Sequence, residues 1–408
     1  MGLPPNNLRS SRHLPALDGV RGIAILLVLL FHFGLYGHGL PPPSVFVDRA
    51  FYAVAGIGWA GVDLFFVLSG FLITGILYDA RSGSRYFRNF YARRCLRILP
   101  LYYGALIVFT VCLPLLLPQD EGLRHATATA AWHWTFLTNV LVALEGWHPN
   151  GMLDHFWSLA VEEQFYLVWP VLVFVFGRVA LLRVCWIVIA GALLVRIGLW
   201  TAGYEIAPSV LGPARADALA VGALLALVAR GPDGLSRVAA FARPAAGLLG
   251  AALAFVFWGV VLPQRDPVVA TGGYSLLAAF FGAVLVIALT ASPAGVPGRW
   301  LASRPLTFFG RYSYGLYVIH VPLVFVAPAV VGPARVSDVP HLLGSQLPAL
   351  LLYITAASLA SVCLALVSWH ALEKPFLQLK RWFPYDVRAG KGPATTAYAV
   401  PLSSGPAR

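Results

Sequence analysis

Residues 22–36, GIAILLVLLFHFGLY, form an apolar run with one histidine inside it, and this run decides the fold of the 408-residue chain. His32 lies within the run, and Arg21 precedes it with ten residues between them. Eleven helical steps bring the two side chains onto one face to within about 20°, roughly 16 Å apart along the axis. Ionisable groups in a membrane helix are costly and often mark a functional site. A hydrogen bond to a neighbouring helix would also explain a lone His32.

The composition predicts that the whole chain is a membrane protein. Hydrophobic residues make up 59% of it and charged residues 11%, and the mean hydropathy is +0.76, so too few polar residues exist to cover a soluble fold. The apolar segments predict an all-α, polytopic bundle of about ten transmembrane helices. The predicted spans are 22–36, 55–78, 98–118, 158–177, 180–201, 212–229, 244–262, 272–291, 313–333 and 345–369.

The formal net charge of +12 serves topology rather than nucleic-acid binding, because the 29 Lys and Arg residues lie mostly between apolar segments. Most of them fall on one side of the predicted membrane. The few on the other side are Arg49, Arg124, Arg215, Arg265 and Arg335. This bias predicts that the N- and C-termini are both cytoplasmic. Counting the apolar stretch 126–145 as a further span would destroy the bias, so we expect residues 119–157 to lie outside the membrane.

The chain divides into three predicted regions. Residues 1–13 form a cytoplasmic N-terminal tail, 14–376 the membrane domain, and 377–408 a cytoplasmic, largely disordered tail whose end is rich in Gly, Pro, Ala, Ser and Thr. The four cysteines make no CxxC pair and lie in or beside apolar segments, so we expect neither a disulfide nor a metal site.

Depth along the predicted spans sorts the buried polar residues into two levels. His32 and Asp63 come at nearly the same depth, and Glu162 lies slightly nearer the outer face. A carboxylate beside an imidazole orients its tautomer, so Asp63 or Glu162 is expected to hold His32. The level nearer the cytoplasm carries cations and hydroxyl groups: Arg21, Ser69, Arg93, Arg94, Arg97, Ser313 and His320.

Each of these groups also has a simpler explanation. Arg93, Arg94 and Arg97 could act only as topology signals. Asp63 could pair with any buried cation, and Glu162 could favour the N-terminus of its helix through the helix dipole. If the arginines bind a ligand, a phosphate-bearing cosubstrate entering from the cytoplasm suits them best.

Six strings along the chain resemble, in order, the motifs of the acyltransferase-3 family of integral membrane acyltransferases. They run from about residue 14 to residue 376, and the spacing of Arg21 and His32 is the hallmark of that family. The strings are LPALDGVRGIAILLVLLFHF, GVDLFFVLSGFLIT, RRCLRILPLYY, FWSLAVEEQFYLVWP, ARADALAVGALLA and RYSYGLYVIHVPL.

The resemblance implies transfer of an acyl group, often acetyl, from acyl-CoA to a hydroxyl group of a glycan or glycosylated metabolite. It makes His32 the catalytic histidine and Arg21 its companion. The expected catalytic residues are then His32, Arg21, Asp63 and Glu162. The expected CoA-side residues are Arg93, Arg94, Arg97 and Ser69.

The partners expected on this basis are acyl-CoA as cosubstrate, a glycan acceptor and the lipid bilayer, with no permanently bound cofactor and no nucleic acid. The chain is expected in the bacterial plasma membrane as a stand-alone member without a C-terminal hydrolase-like domain. A cell-surface or exported polysaccharide is the first acceptor, and a macrolide or other glycosylated secondary metabolite is the alternative. A proton-coupled transporter is the alternative of another class, although no internal repeat pairs the two halves.

Overall fold

A computed structural model describes residues 14–36, 45–257, 266–331 and 344–385, and within these ranges the chain is helical almost throughout, without a β-strand. The first nine helices are α1 (Pro15–Leu35), α2 (Phe46–Gly56), α3 (Gly61–Ala80), α4 (Tyr86–Ile107), α5 (Leu113–Leu116), α6 (Glu121–Ala128), α7 (Ala130–Trp134), α8 (Thr138–Glu145) and α9 (Trp157–Val175). The others are α10 (Arg178–Thr201), α11 (Ala207–Val210), α12 (Gly212–Ala229), α13 (Ser236–Val256), α14 (Tyr274–Thr290), α15 (Val296–Leu301), α16 (Arg304–Val331), α17 (Leu347–Ser368) and α18 (Lys374–Gln378).

Nine helical segments of the described ranges are long and apolar enough to cross a membrane, and each overlaps one of the predicted spans. They are Pro15–Leu35, Phe46–Ala80, Tyr86–Leu116, Asp154–Val175, Arg178–Thr201, Ala207–Ala229, Ser236–Val256, Val269–Thr290 and Leu347–Trp382. The remaining predicted span, 313–333, falls on the 28-residue helix α16. The predicted all-α, polytopic membrane fold is therefore confirmed.

Close glycine contacts hold α1 and α16 side by side in parallel. A Cβ atom on Gly22 would lie 2.1 Å from the carbonyl oxygen of Leu306, and one on Gly310 would lie 1.8 Å from that of Asp18. Small residues of this kind let membrane helices approach backbone to backbone, where dispersion contacts replace the hydrophobic effect. The parallel pairing brings the outer half of α1, which carries His32, beside the middle of α16.

Helices α3 and α12 pack in the same manner. Gly70 faces the carbonyl oxygen of Leu219, and Gly222 faces that of Val67, each too closely for any side chain. Helix α3 is buried on most of its circumference, including Phe66, Leu68 and Ile73. It is therefore the central helix of the bundle and contacts α1, α9, α12 and α14.

Residues 119–153 contain only the short helices α6, α7 and α8, so the apolar stretch 126–145 does not form a spanning helix. His133 of this segment is buried, and its ring nitrogens lie 3.3 Å from the Thr129 hydroxyl and 2.9 Å from the Thr138 hydroxyl. Burial lowers the pKa of His133 to about 4, which keeps the ring neutral at physiological pH.

The C-terminal part of the fold extends further than the sequence predicts. Helical structure continues from α18 to Trp382, and Asn89 of α4 donates a hydrogen bond to the carbonyl of Pro384. Residues 377–385 are thus part of the folded domain, because they pack on α4. The rest of the predicted tail, like residues 1–13, lies outside the described residues.

Candidate active site

His32 lies beside a second histidine, His320 of α16. The His32 Nδ1 atom is 2.9 Å from the carbonyl oxygen of Val28, one turn earlier, and 3.3 Å from Nε2 of His320. The two rings meet edge to face, with centroids 4.7 Å apart. The His155 ring also meets the His320 ring edge to face, with centroids 5.3 Å apart. Within the described ranges, Val28 and His320 are the hydrogen-bond partners of the His32 ring.

These contacts fix the tautomer of both rings. Nδ1 of His320 lies 2.8 Å from the carbonyl of Tyr317 and 3.1 Å from that of Leu316, and since carbonyl oxygens only accept, this nitrogen carries the proton. Nε2 of neutral His320 is therefore an acceptor. His32 Nδ1 also faces a carbonyl, so it donates, and His32 Nε2 is left with a free lone pair.

The sequence places His320 too close to the cytoplasm, and the structure corrects its depth. The predicted span starts at 313, whereas α16 begins at Arg304, more than two turns earlier. His320 therefore lies as far along α16 as His32 lies along α1. Tyr317 lies three residues before His320 on α16, and its hydroxyl donates to the carbonyl of His155 at 3.0 Å. The same hydroxyl lies 2.6 Å from that of Ser158, so these contacts tie α16 to the start of α9.

The predicted pairing of Asp63 with His32 is wrong. The Asp63 carboxylate instead forms an ion pair with Arg215 of α12, and both side chains are 1% exposed. Equal depth did not bring Asp63 to His32 because Asp63 projects from the side of α3 that faces α12. Arg215, counted as a loop residue in the charge bias, is inside the bundle, with its guanidinium 3.7 Å from the centre of the Tyr274 ring.

A second buried ion pair lies beside the first one. Arg196 donates to Asp217 at 2.8 Å, and the Ser275 hydroxyl donates to the same carboxylate at 2.7 Å. Asp63 and Asp217 thus belong to one internal network of acids and arginines joining α3, α10, α12 and α14. This network gives Asp63 a partner other than His32, and its catalytic role stays a prediction.

The predicted pairing of Glu162 with His32 is also not present among the described contacts. Glu162 accepts a hydrogen bond from the Tyr166 hydroxyl at 2.8 Å, and the same hydroxyl lies 2.5 Å from that of Ser69. Glu162 is the sixth residue of α9, beyond its first turn, so it does not cap the helix. The Glu162 carboxylate instead lies close enough to Arg94, Arg21 and Arg97 for their charges to interact. Glu162 therefore belongs to the level nearer the cytoplasm, which carries the arginines.

The predicted group Arg93, Arg94 and Arg97 divides into two. Arg94 and Arg97 lie close enough to Arg21 and Glu162 for their charges to interact. Arg94 also faces the Tyr166 ring at 5.7 Å, and its Nε atom has no hydrogen-bond partner among the described residues. Arg93 instead donates to the carbonyls of Lys380 and Phe383, at 3.0 and 3.1 Å.

Arg21, Arg94 and Arg97 form what we call the arginine group, and Arg21 lies at its opening. Its guanidinium makes a long contact of 3.4 Å to Asp18, and the side chain keeps 28% of its exposure. Ser69, Arg94, Arg97 and Glu162 are also only partly buried, although they lie between helices. The site therefore combines a neutral histidine pair with a free nitrogen and a cationic group able to hold an anion.

Sequence reasoning missed several residues in and around this site, among them His155, Tyr166 and Lys380. Tyr166 lies four residues after Glu162, the spacing at which helical side chains meet, so that pair was detectable. Lys380 was not, because it lies in the stretch predicted as tail.

Comparison with known proteins identifies the family of this chain. The acyltransferase domain of the acyltransferase-3 family matches residues 14–370. The chain is 28% identical over 385 residues to the putative peptidoglycan O-acetyltransferase YrhL of Bacillus subtilis, covering 89% of this chain and 55% of that protein. It is 28% identical to the peptidoglycan O-acetyltransferase OatA of Listeria monocytogenes, over 79% of this chain and 51% of that protein.

A third relative, the O-acetyltransferase OatA of Staphylococcus aureus, is 27% identical over 77% of this chain and 51% of its own length. The chain thus spans about half the length of the curated relatives it matches. No solved structure matches it. Since the domain match covers most of the sequence and includes both Arg21 and His32, the chain belongs to the acyltransferase-3 family of acyl-transferring membrane enzymes.

Proposed function

We propose that this protein transfers an acetyl group from acetyl-CoA to a hydroxyl group of a cell-surface polysaccharide, in the plasma membrane of a bacterium. The observation that carries the proposal is the His32–His320 pair, which leaves His32 Nε2 free as a base inside a membrane bundle. Peptidoglycan is the first acceptor to test, because two relatives are named for its O-acetylation.

The arginine group supports acyl-CoA as the donor. CoA carries several phosphates, and guanidinium groups bind phosphate oxygens through paired, charge-assisted hydrogen bonds. Arg21, Arg94 and Arg97 lie at the end of α1 where the positive-inside rule puts the cytoplasm. With the nucleotide held there, the thioester would extend along α1 past Ser69 toward His32.

The chemistry needs one base. The acceptor hydroxyl gives its proton to His32 Nε2 while its oxygen attacks the thioester carbonyl, and the carbon–sulfur bond then breaks. The departing thiolate takes the proton from His32, so that CoA leaves as the thiol and the histidine is restored. His320 Nε2 accepts the hydrogen bond from His32 Nδ1 throughout, which stabilises the transient imidazolium. The same free Nε2 could instead carry the acetyl group between donor and acceptor.

Transfer can be measured directly with purified protein in lipid nanodiscs. The protein is given acetyl-CoA labelled in the acetyl group, together with muramyl glycan fragments, and the glycan is analysed by mass spectrometry. We expect label on a sugar hydroxyl and release of one CoA thiol per acetyl transferred. Thiol release without labelled glycan would reject the acceptor, and neither product would reject the donor.

His320 is expected to position His32 rather than contact the substrate. In His320→Phe the ring packing is kept, but one of the two acceptors of His32 Nδ1–H is lost, and the Val28 carbonyl of the same helix is left as the other. Loss of such an orienting partner typically costs about 10- to 100-fold in activity. We expect that loss in kcat with KM for acetyl-CoA unchanged, because the arginine group is untouched.

His320→Gln offers a matched comparison, since its amide oxygen can accept the same hydrogen bond. It should recover part of the lost kcat if the acceptor matters. Equal kcat in His320→Phe and the wild type would contradict the positioning role, and equal losses in both variants would point to packing instead.

A further inference from the structure

The C-terminal segment 374–385 packs on α4, the helix that carries Arg93, Arg94 and Arg97. Two carbonyls of the segment accept hydrogen bonds from Arg93, and Pro384 accepts one from Asn89. The Tyr385 ring lies 4.7 Å from the Arg93 guanidinium. These contacts fix the backbone of the segment on α4, independently of the side chain of Lys380.

Lys380 is thereby held inside a cluster of like charges. Its side chain is buried, and burial together with the nearby charges of Arg97, Arg94, Arg93 and Arg21 disfavours the charged form of its amino group. In the part of the chain that the structure describes, no carboxylate lies within ion-pair distance of Lys380. The nearby acids Glu162 and Glu373 act on Arg97 instead.

Such a cluster is unfavourable unless an anion occupies it. A buried ammonium is among the rarest features of folded proteins, and it is costly without a counter-charge. Four guanidinium groups around it add repulsion. The cost is understandable when the groups are arranged for a ligand that carries several negative charges, as phosphates do.

We propose that Lys380 completes a phosphate-binding site with Arg94 and Arg97, and that the C-terminal segment thereby forms one wall of the nucleotide end of the donor site. This inference rests on the proposed use of acyl-CoA. The ligand chemistry is a phosphate cluster, which either the CoA nucleotide or an anionic lipid headgroup could supply. The nucleotide is favoured because Arg21, Glu162 and Ser69 continue from this cluster into the bundle.

The test compares Lys380→Gln with Arg381→Gln, its neighbour in sequence. Arg381 is exposed and lies against the Trp382 ring, so its replacement removes the same charge outside the cluster. Binding of CoA, dephospho-CoA and pantetheine is measured by calorimetry in nanodiscs of neutral lipid, and again with phosphatidylglycerol added.

Lys380→Gln is expected to weaken CoA binding by about tenfold or more, as loss of one charge-assisted hydrogen bond does, and to leave pantetheine binding unchanged. The ligand-free variant should melt at a higher temperature than the wild type, because the substitution removes a buried amino group that has no counter-charge. A merely structural lysine would give the opposite shift. Arg381→Gln should change neither quantity.

Failure of this inference is distinguishable from failure of the proposed function. If the wild type binds CoA and Lys380→Gln binds it equally well, Lys380 is not a ligand. If the wild type does not bind CoA in any bilayer, the donor itself is wrong. If phosphatidylglycerol competes with CoA in the wild type but not in Lys380→Gln, the site takes a lipid headgroup, which overturns the assignment to the nucleotide.

Discussion

His32→Ala is expected to abolish acyl transfer while the protein still reaches the membrane in normal amounts. General acid–base catalysis contributes about 10²- to 10⁴-fold to rate, and removal of the imidazole removes both the base and its link to His320. CoA binding should survive, because the arginine group lies further along α1 toward its N-terminus. Turnover of labelled acetyl-CoA and the calorimetric Kd for CoA are the two measurements.

His370 provides the matched control for this variant. Its Nδ1 atom also bonds the carbonyl one turn earlier, that of Leu366, at 2.8 Å, but its ring is exposed. His370→Ala should therefore keep wild-type turnover. Normal acetyl transfer by His32→Ala would refute the mechanism, although membership of the family would stand.

Most of the fold could be predicted because membrane-spanning helices can be recognised from their length and apolar composition. Each candidate span overlaps a predicted one. Helices α1 and α16 meet near their starts, at Gly22 and Leu306, and again further along, at His32 and His320, which agrees with the parallel direction expected for the first and ninth spans. Boundaries were harder to predict. The first turns of α16, which carry Arg304 and Arg311, were predicted as a loop. This error alone displaced His320 from the level of His32.

The residues of the candidate site could be predicted better than the contacts between them. The depth of a residue in the membrane follows from its position along the helix. The direction in which its side chain points can be predicted only when one face of the helix differs in polarity from the others. Helix α3 is apolar nearly all round, so its pattern did not reveal that Asp63 faces α12. Arg215 was hidden for a related reason, since a cation near the start of a span resembles a topology signal until its partner is known.

Breaking the pair of Asp63 and Arg215 should destabilise the protein more than any change at His32. Asp63→Asn leaves the Arg215 guanidinium buried without its counter-charge, and loss of one partner of a buried pair costs about 3–5 kcal/mol. We expect a large fall in the unfolding temperature of the detergent-purified protein and lower abundance in membranes. His32→Ala should not reproduce either effect.

Two further variants separate the ion pair from simple loss of a polar group. Asp63→Leu combined with Arg215→Met replaces both charges by apolar groups, which buried pairs often tolerate, so much of the unfolding temperature should return. Asp233→Asn breaks an exposed pair with Arg237, whose side chain keeps 81% of its exposure, and should leave the temperature unchanged. If the double variant is as unstable as Asp63→Asn and also retains no acetyl transfer, the pair does more than hold α3 to α12. Asp63 would then have to be considered again as part of the catalytic site.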